Sequence, residues 1–114
     1  MIDYLVILLG LYLERPGSRF CEYGQSVSKH ECENAGKNFF PNPPRNLQLG
    51  SGCIGGWKNV PLGCSVEAKG DGSAHYKTTE DANCTIGKSA NHYQLVCRND
   101  GKCHFILSLA RDLV

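Results

Sequence analysis

Val60-Pro61-Leu62-Gly63-Cys64-Ser65-Val66, then Lys69-Gly70-Asp71-Gly72-Ser73, then Ala74-His75-Tyr76-Lys77-Thr78: these seventeen residues decide the fold. The middle segment is a tight turn, because Asp and Gly supply backbone angles that larger residues avoid. Short β-prone segments on both sides, Cys64-Ser65-Val66 and Ala74 to Thr78, make it an antiparallel hairpin. Pro61 lacks a backbone donor and keeps Val60-Pro61 in the preceding turn rather than in a central strand. One arm of the hairpin carries a cysteine, so the hairpin is also a covalent anchor point.

Working outward, His92-Tyr93-Gln94-Leu95-Val96-Cys97 has the composition of a further strand. Phe20, Tyr23 and Val27 around Gly24 predict a short strand and turn. Ser28-Lys29-His30-Glu31 has the capping-box form, Ser followed three residues later by Glu. It opens a short helix over residues 28–36 that places Cys32 on its buried side and ends near Gly36. Phe39-Phe40-Pro41-Asn42-Pro43-Pro44 is an extended surface loop, since consecutive prolines exclude helix and central strand. Gly50 to Trp57 is a glycine-rich approach to a strand. Thr79 to Ser89 is polar loop, and Arg98 to Lys102 a turn. The expected fold is therefore α+β, a small disulfide-stabilised domain with short antiparallel strands and one short helix.

Both ends differ from this middle. Tyr4 to Leu13 is a run of uncharged, mostly apolar residues, the length of a signal-peptide hydrophobic region and too short to span a bilayer. Residues 1–18 are accordingly expected to be a signal peptide or apolar leader, with a first strand or helix of the domain as the other option. Arg15-Pro16-Gly17-Ser18 breaks the run, and the compact domain is expected over residues 19–98. Residues 99–114 form an apolar tail from Phe105 onward.

Seven cysteines in 114 residues are well above ordinary usage. No two are separated by only two residues, which removes the ligand pairs of structural zinc sites. Widely spaced cysteines in a glycine-rich chain point to disulfides and to an oxidising compartment, extracellular or at the cell surface. Asn83-Cys84-Thr85 is a glycosylation sequon consistent with it, which would make the chain a glycoprotein. A formal charge of +1 leaves no basic excess to neutralise phosphates, which argues against nucleic acid as a partner. The spacing of Cys21, Cys53 and Cys84, and of Cys32, Cys64 and Cys97, is nearly regular. The residues between do not match, so no repeat is inferred.

The string Trp57-Lys58-Asn59-Val60-Pro61-Leu62-Gly63-Cys64-Ser65, with Glu31-Cys32-Glu33-Asn34-Ala35, Ala74-His75-Tyr76 and Val96-Cys97, resembles an uncharacterised cysteine-containing extracellular module of predicted proteins in marine microalgae and other protists. The resemblance covers residues 19–98. It implies fold and compartment rather than a reaction. It also implies a pairing: Cys21 with Cys97 and Cys32 with Cys64, leaving Cys53 and Cys84, which the module pattern lacks, as a third pair. Cys103 is then the odd cysteine, available for an intermolecular disulfide. Sequence by itself leaves the connectivity open.

Candidate ligand-binding residues are Trp57, Asn59, Asp71, His75 and Tyr76. A tryptophan beside a tyrosine and a histidine can stack on a sugar ring, with Asn59 and Asp71 as polar partners. The competing reading makes Trp57 a core residue packed on a disulfide, and His75 a structural hydrogen-bonding residue. Glu67, Asp71, Glu80 and Asp81 are acidic, but their spacing is not that of a calcium loop, and no metal or cofactor is expected. Cys103-His104 are adjacent, so on a strand they would face opposite sides, and they do not make a nucleophile–base pair. No hydrolase, phosphate-loop or dinucleotide motif occurs. The expected function is a secreted or cell-surface structural or interaction module without catalytic activity; the alternative is a carbohydrate-binding, lectin-like module using Trp57, His75 and Tyr76. Expected partners are extracellular glycans or other surface proteins.

Overall fold

A computed structural model describes residues 10–81 and 83–99. Over these described residues the fold is a small disulfide-stabilised α+β domain: one helix against a mixed sheet of short strands. In chain order the elements are β1 (Leu11–Leu13), β2 (Gly24–Ser26), α1 (Lys29–Gly36), β3 (Gln48–Gly50), β4 (Gly63–Val66), β5 (Ala74–Lys77) and β6 (Gln94–Asn99). Two short 3-10 segments, Gly55–Asn59 and Lys88–His92, precede β4 and β6 respectively.

The hairpin is the centre of the sheet. β4 and β5 pair antiparallel with Ser65 opposite His75 and Val66 opposite Ala74. The turn between them requires glycine at position 72, where φ is +77° and Phe40 lies directly against the backbone. The strand order is β1-β6-β4-β5-β3. β2 also pairs with β6, in line with β4 along the same edge; the hydroxyl of Ser26 bridges the junction by accepting the Cys64 N–H at 2.8 Å. One pairing departs from the all-antiparallel expectation. β3 runs parallel to β5, Gln48 opposite His75. The long proline-containing connection after α1 carries the chain to the far edge of β5, which is what a parallel neighbour requires.

Residues 10–18, set apart in the sequence reading as the end of a leader, belong to the fold. β1 pairs along β6 with Tyr12 opposite Cys97, and Leu11 and Tyr12 are buried. Buried Glu14 accepts the Glu22 N–H at 2.5 Å, and the Gln94 side chain donates to the Glu14 carbonyl at 2.7 Å. An apolar run of this kind serves a sheet edge as well as it serves a leader; only its partner strand decides. Residues 11–13 are thus part of the same sheet as the strands after Arg19. Residues 1–9 and the tail from Asp100, including Cys103, lie outside the described residues.

Helix α1 forms where the capping signal placed it. The Ser28 hydroxyl meets the Glu31 carboxylate at 3.0 Å, although Ser28 makes no side-chain bond to the helix backbone. Its apolar side, Cys32 and Ala35, packs with Cys64, Val66, Ala74, Val96, Leu11 and Val27 into the main core, closed at its margin by Phe39, Phe40, Leu47 and Tyr76. Three disulfides join the elements: Cys21–Cys97, Cys32–Cys64 and Cys53–Cys84. These are the pairs the module resemblance implied. Their Cα–Cα separations, 5.9, 5.6 and 5.7 Å, suit a disulfide. The first ties the loop before β2 to β6, the second joins α1 to β4, and the third joins the loops around the first 3-10 turn and before the second.

Candidate functional site

Successive residues on a strand point to opposite faces. On β5 this sends Ala74 and Tyr76 toward α1, and His75 and Lys77 to the other face. Gln48 and Gly50 of β3 stand beside them in register. Gly50 is required there because the Trp57 indole lies on its α-carbon, and any Cβ would overlap the ring. Trp57 therefore lies across the sheet surface, half-buried over β3. Its ring meets His75 edge-on, with centroids 5.6 Å apart, and His75 meets Tyr93 edge-on at 5.2 Å. Trp57, His75 and Tyr93, with Arg45, Gln48 and Val60, line an open cavity of about 160 Å³.

The 3-10 turn that presents Trp57 is held from below by cations. Lys77 is 1% exposed, and its ammonium donates to the carbonyls of Trp57 at 2.9 Å and Val60 at 3.2 Å, and to the Glu80 carboxylate at 3.0 Å. Arg19 donates to the carbonyls of Asn59 and Val60 and pairs with the same Glu80 oxygen at 2.9 Å. Buried carbonyls at the end of a short turn need donors; two cations supply them, and one carboxylate neutralises part of the charge. The Lys77 and Arg19 bonds hold the Glu80 carboxyl below the usual carboxylate range.

Arg45 stands at the rim. Its Nε donates to Asp71 at 2.7 Å and its Nη2 to Glu67 at 3.1 Å. The Arg45 bond, with the Ser73 N–H donating to the other carboxylate oxygen at 2.9 Å, lowers Asp71 to about 2. His75 is 5% exposed, and burial pushes its imidazole below its ordinary value of 6.5. Its Nδ1–H donates to the Ser73 carbonyl at 3.1 Å. A carbonyl can only accept, so the neutral ring keeps Nε2 as an acceptor.

The expected ligand residues thus divide. Trp57 and His75 come together at the cavity. Asp71 does not line it but fixes Arg45, which does. Asn59 is turned away: its amide oxygen is buried against Gly87 without a hydrogen-bond partner. Tyr76 is on the opposite face, against the main core, because it neighbours His75 on an extended strand. Three lining residues, Arg45, Gln48 and Tyr93, escaped the sequence reading. Tyr93 was legible as part of a strand, but nothing local linked it to His75, and β3 carried no strand signal strong enough to place Gln48. Glu67 and Asp71 meet on Arg45, but no cluster of three metal-ligating side chains occurs among the described residues. Asn83 is exposed.

His75 makes stability depend on pH. Burial opposes its charged form, Arg45 adds to that, and Glu67 and Asp71 act the other way. The unfolded chain then binds a proton around pH 6.5 that the folded chain refuses. Stability is complete above that value and falls as the pH drops below it, until the depressed folded value is reached. Urea denaturation across this range is expected to show the slope, and His75→Gln to flatten it.

The fold and cavity together define a small disulfide-linked α+β domain with an aromatic cleft on the sheet face away from its helix. Compared with family models, curated proteins and solved structures, the chain matches none.

Proposed function

We propose that the chain is a secreted or cell-surface structural and interaction module without catalytic activity. The observation that carries this reading is the bridge pattern: three disulfides tie the loop before β2 to β6, α1 to β4, and two outer loops to each other in a domain whose core is small, an arrangement typical of an oxidising compartment. An exposed sequon at Asn83 is compatible with the same compartment. No helix among the described residues is long and apolar enough to cross a membrane. The cavity favours binding over hydrolysis, since its lining offers one imidazole and no carboxylate to work with it. The carbohydrate-binding alternative is favoured by one observation, that Trp57 and His75 wall the same cavity.

The test is expression of the full chain through the secretory route of a eukaryotic cell and, in parallel, in a reducing cytosol. Alkylation and mass analysis then count the protected cysteines. The expected result is secreted, protease-resistant protein with Cys21, Cys32, Cys53, Cys64, Cys84 and Cys97 protected, and degraded or aggregated protein in the cytosol. A cytosolic product equally resistant to protease, with Cys21 and Cys97 as free thiols, would overturn the reading.

A further inference from the structure

The cavity beside Trp57 offers more than aromatic walls. Its hydrogen-bonding groups are of both kinds. The Arg45 fork uses Nε and Nη2 on Asp71 and Glu67, which leaves Nη1 to donate. His75 Nε2 accepts, since Nδ1 is committed to Ser73. Gln48 gives its amide N–H to the Asn46 carbonyl at 2.8 Å, which leaves its amide oxygen to accept. The three rings are set edge to face, so they present walls of different orientation around the opening.

Charge narrows the ligand. One guanidinium faces two carboxylates, a local sum of +1 − 2 = −1. An anionic ligand would compete with Asp71 and Glu67 for Arg45 and meet their charge. A cation would have Arg45 in its own binding wall, which works against an aromatic cage of the kind that holds ammonium groups. A neutral molecule with hydroxyl groups and one apolar face avoids both conflicts. It can give hydrogens to His75 and Gln48, accept one from Arg45 and lay its C–H face on an aromatic wall, the mixture of apolar lining and few convergent polar groups expected of a small-molecule site.

We propose that the cavity walled by Trp57, His75 and Tyr93 binds one ring of a neutral sugar, with Arg45 as donor and His75 and Gln48 as acceptors. This rests on the reading of the chain as an interaction module and names the chemistry of its partner. The residue set differs from the one legible in the sequence: Tyr76 and Asn59 take no part, and Asp71 serves by holding Arg45.

Trp57 is the only tryptophan of the chain, so its fluorescence reports on this cavity alone. The experiment titrates the full-length, disulfide-bonded protein with the methyl glycosides of mannose, glucose and galactose, and in parallel with glucuronate and with choline. The expected result is a saturable change in emission with at least one neutral glycoside, and none with glucuronate or choline. Gln48→Ala, on an edge strand, removes one acceptor and is expected to weaken binding at least about fivefold, the worth of one hydrogen bond; Tyr93→Ala removes a wall and is expected to abolish it. Both variants are checked for three intact disulfides and wild-type circular dichroism, and Gln48→Ala stands alone if Tyr93→Ala fails that check. No saturable change with any of the three glycosides, a preference for glucuronate or choline, or binding that Gln48→Ala leaves unaltered would each overturn the proposal. These outcomes are independent of the thiol count, so a secreted module without this sugar site would be recognised as such.

Discussion

Replacing Cys32 and Cys64 together by alanine is expected to remove about 4 kcal/mol of stability. The bridge joins α1 to β4, and both cysteines are fully buried in the main core. Cross-linking residues 32 apart in sequence restricts the unfolded chain, and the loop-entropy relation sets this at about 3.7 kcal/mol. Loss of packing around two buried sulfurs adds to it. A domain of this size has a total stability of only about 5–10 kcal/mol, so the double variant should stand near the edge of unfolding at 37 °C. The measurement is urea denaturation followed by circular dichroism, with the wild type and a Cys53→Ala/Cys84→Ala variant beside it. The second variant should lose less. Cys53 and Cys84 are only partly buried and sit outside both core clusters, so their loss forfeits the chain-entropy contribution without the packing. Equal losses for the two pairs would contradict this ranking.

Lys77→Met should be the most damaging change among the charged residues, at about 2–4 kcal/mol. The substitution keeps most of the apolar stem but strips the ammonium from three acceptors. The Trp57 and Val60 carbonyls lose a donor, and Glu80 loses its buried partner. Removing one partner of a buried ion pair costs about 3–5 kcal/mol; here Glu80 is still partly open to water and keeps Arg19, which lowers the figure. Because the acceptors include the turn that carries Trp57, a second signal accompanies the first: the emission of Trp57 should move toward that of a solvated indole before the fold is lost. Lys77→Met/Glu80→Gln should recover part of the stability by removing a carboxylate that has lost its buried cation and keeps only Arg19. It should not restore the emission, since the Trp57 carbonyl remains without its donor. The same pair gives a pH dependence of known sign. The folded value of Glu80 is depressed by Lys77 first and Arg19 after it. Its contribution is present above the ordinary carboxylate value and lost as the pH falls through the folded one, and Lys77→Met should shrink that loss.

Local chemistry explains what was legible. The turn Lys69–Ser73 needs glycine angles, the Ser28–Glu31 spacing starts a helix, and Pro41, Pro43 and Pro44 forbid regular structure. Each acts over a few residues and leaves its mark in the chain itself. The hairpin, the helix and the approximate last strand follow from such signals. The cavity does not. Whether Tyr76 or His75 faces it depends on which side of β5 receives α1, and that is settled by packing. Gln48 enters because β3 pairs parallel with β5, a contact between residues with no local relation. Tyr93 arrives on His75 only because β6 lies beside β4, which lies beside β5.

Lys77 shows the division most plainly. From the sequence it is one more lysine at the end of a hairpin arm, where a lysine ordinarily stays in water. Its burial is decided by the 3-10 turn Gly55–Asn59 folding across the sheet, with carbonyls directed at a cation that neutralises them. The apolar run ending at Leu13 is the converse case. Ten uncharged residues fit a leader or a strand equally well, because hydrophobicity records only that water is avoided. Pairing of Leu11, Tyr12 and Leu13 with β6 made its last part a strand. The sequence by itself determined the hairpin, the helix and a cysteine count that calls for bridges, since turn geometry, capping and covalent chemistry are local. Which faces meet, which strand is an edge and which rings share a cavity were decided by the tertiary structure, since those depend on long-range burial that no short stretch of chain encodes.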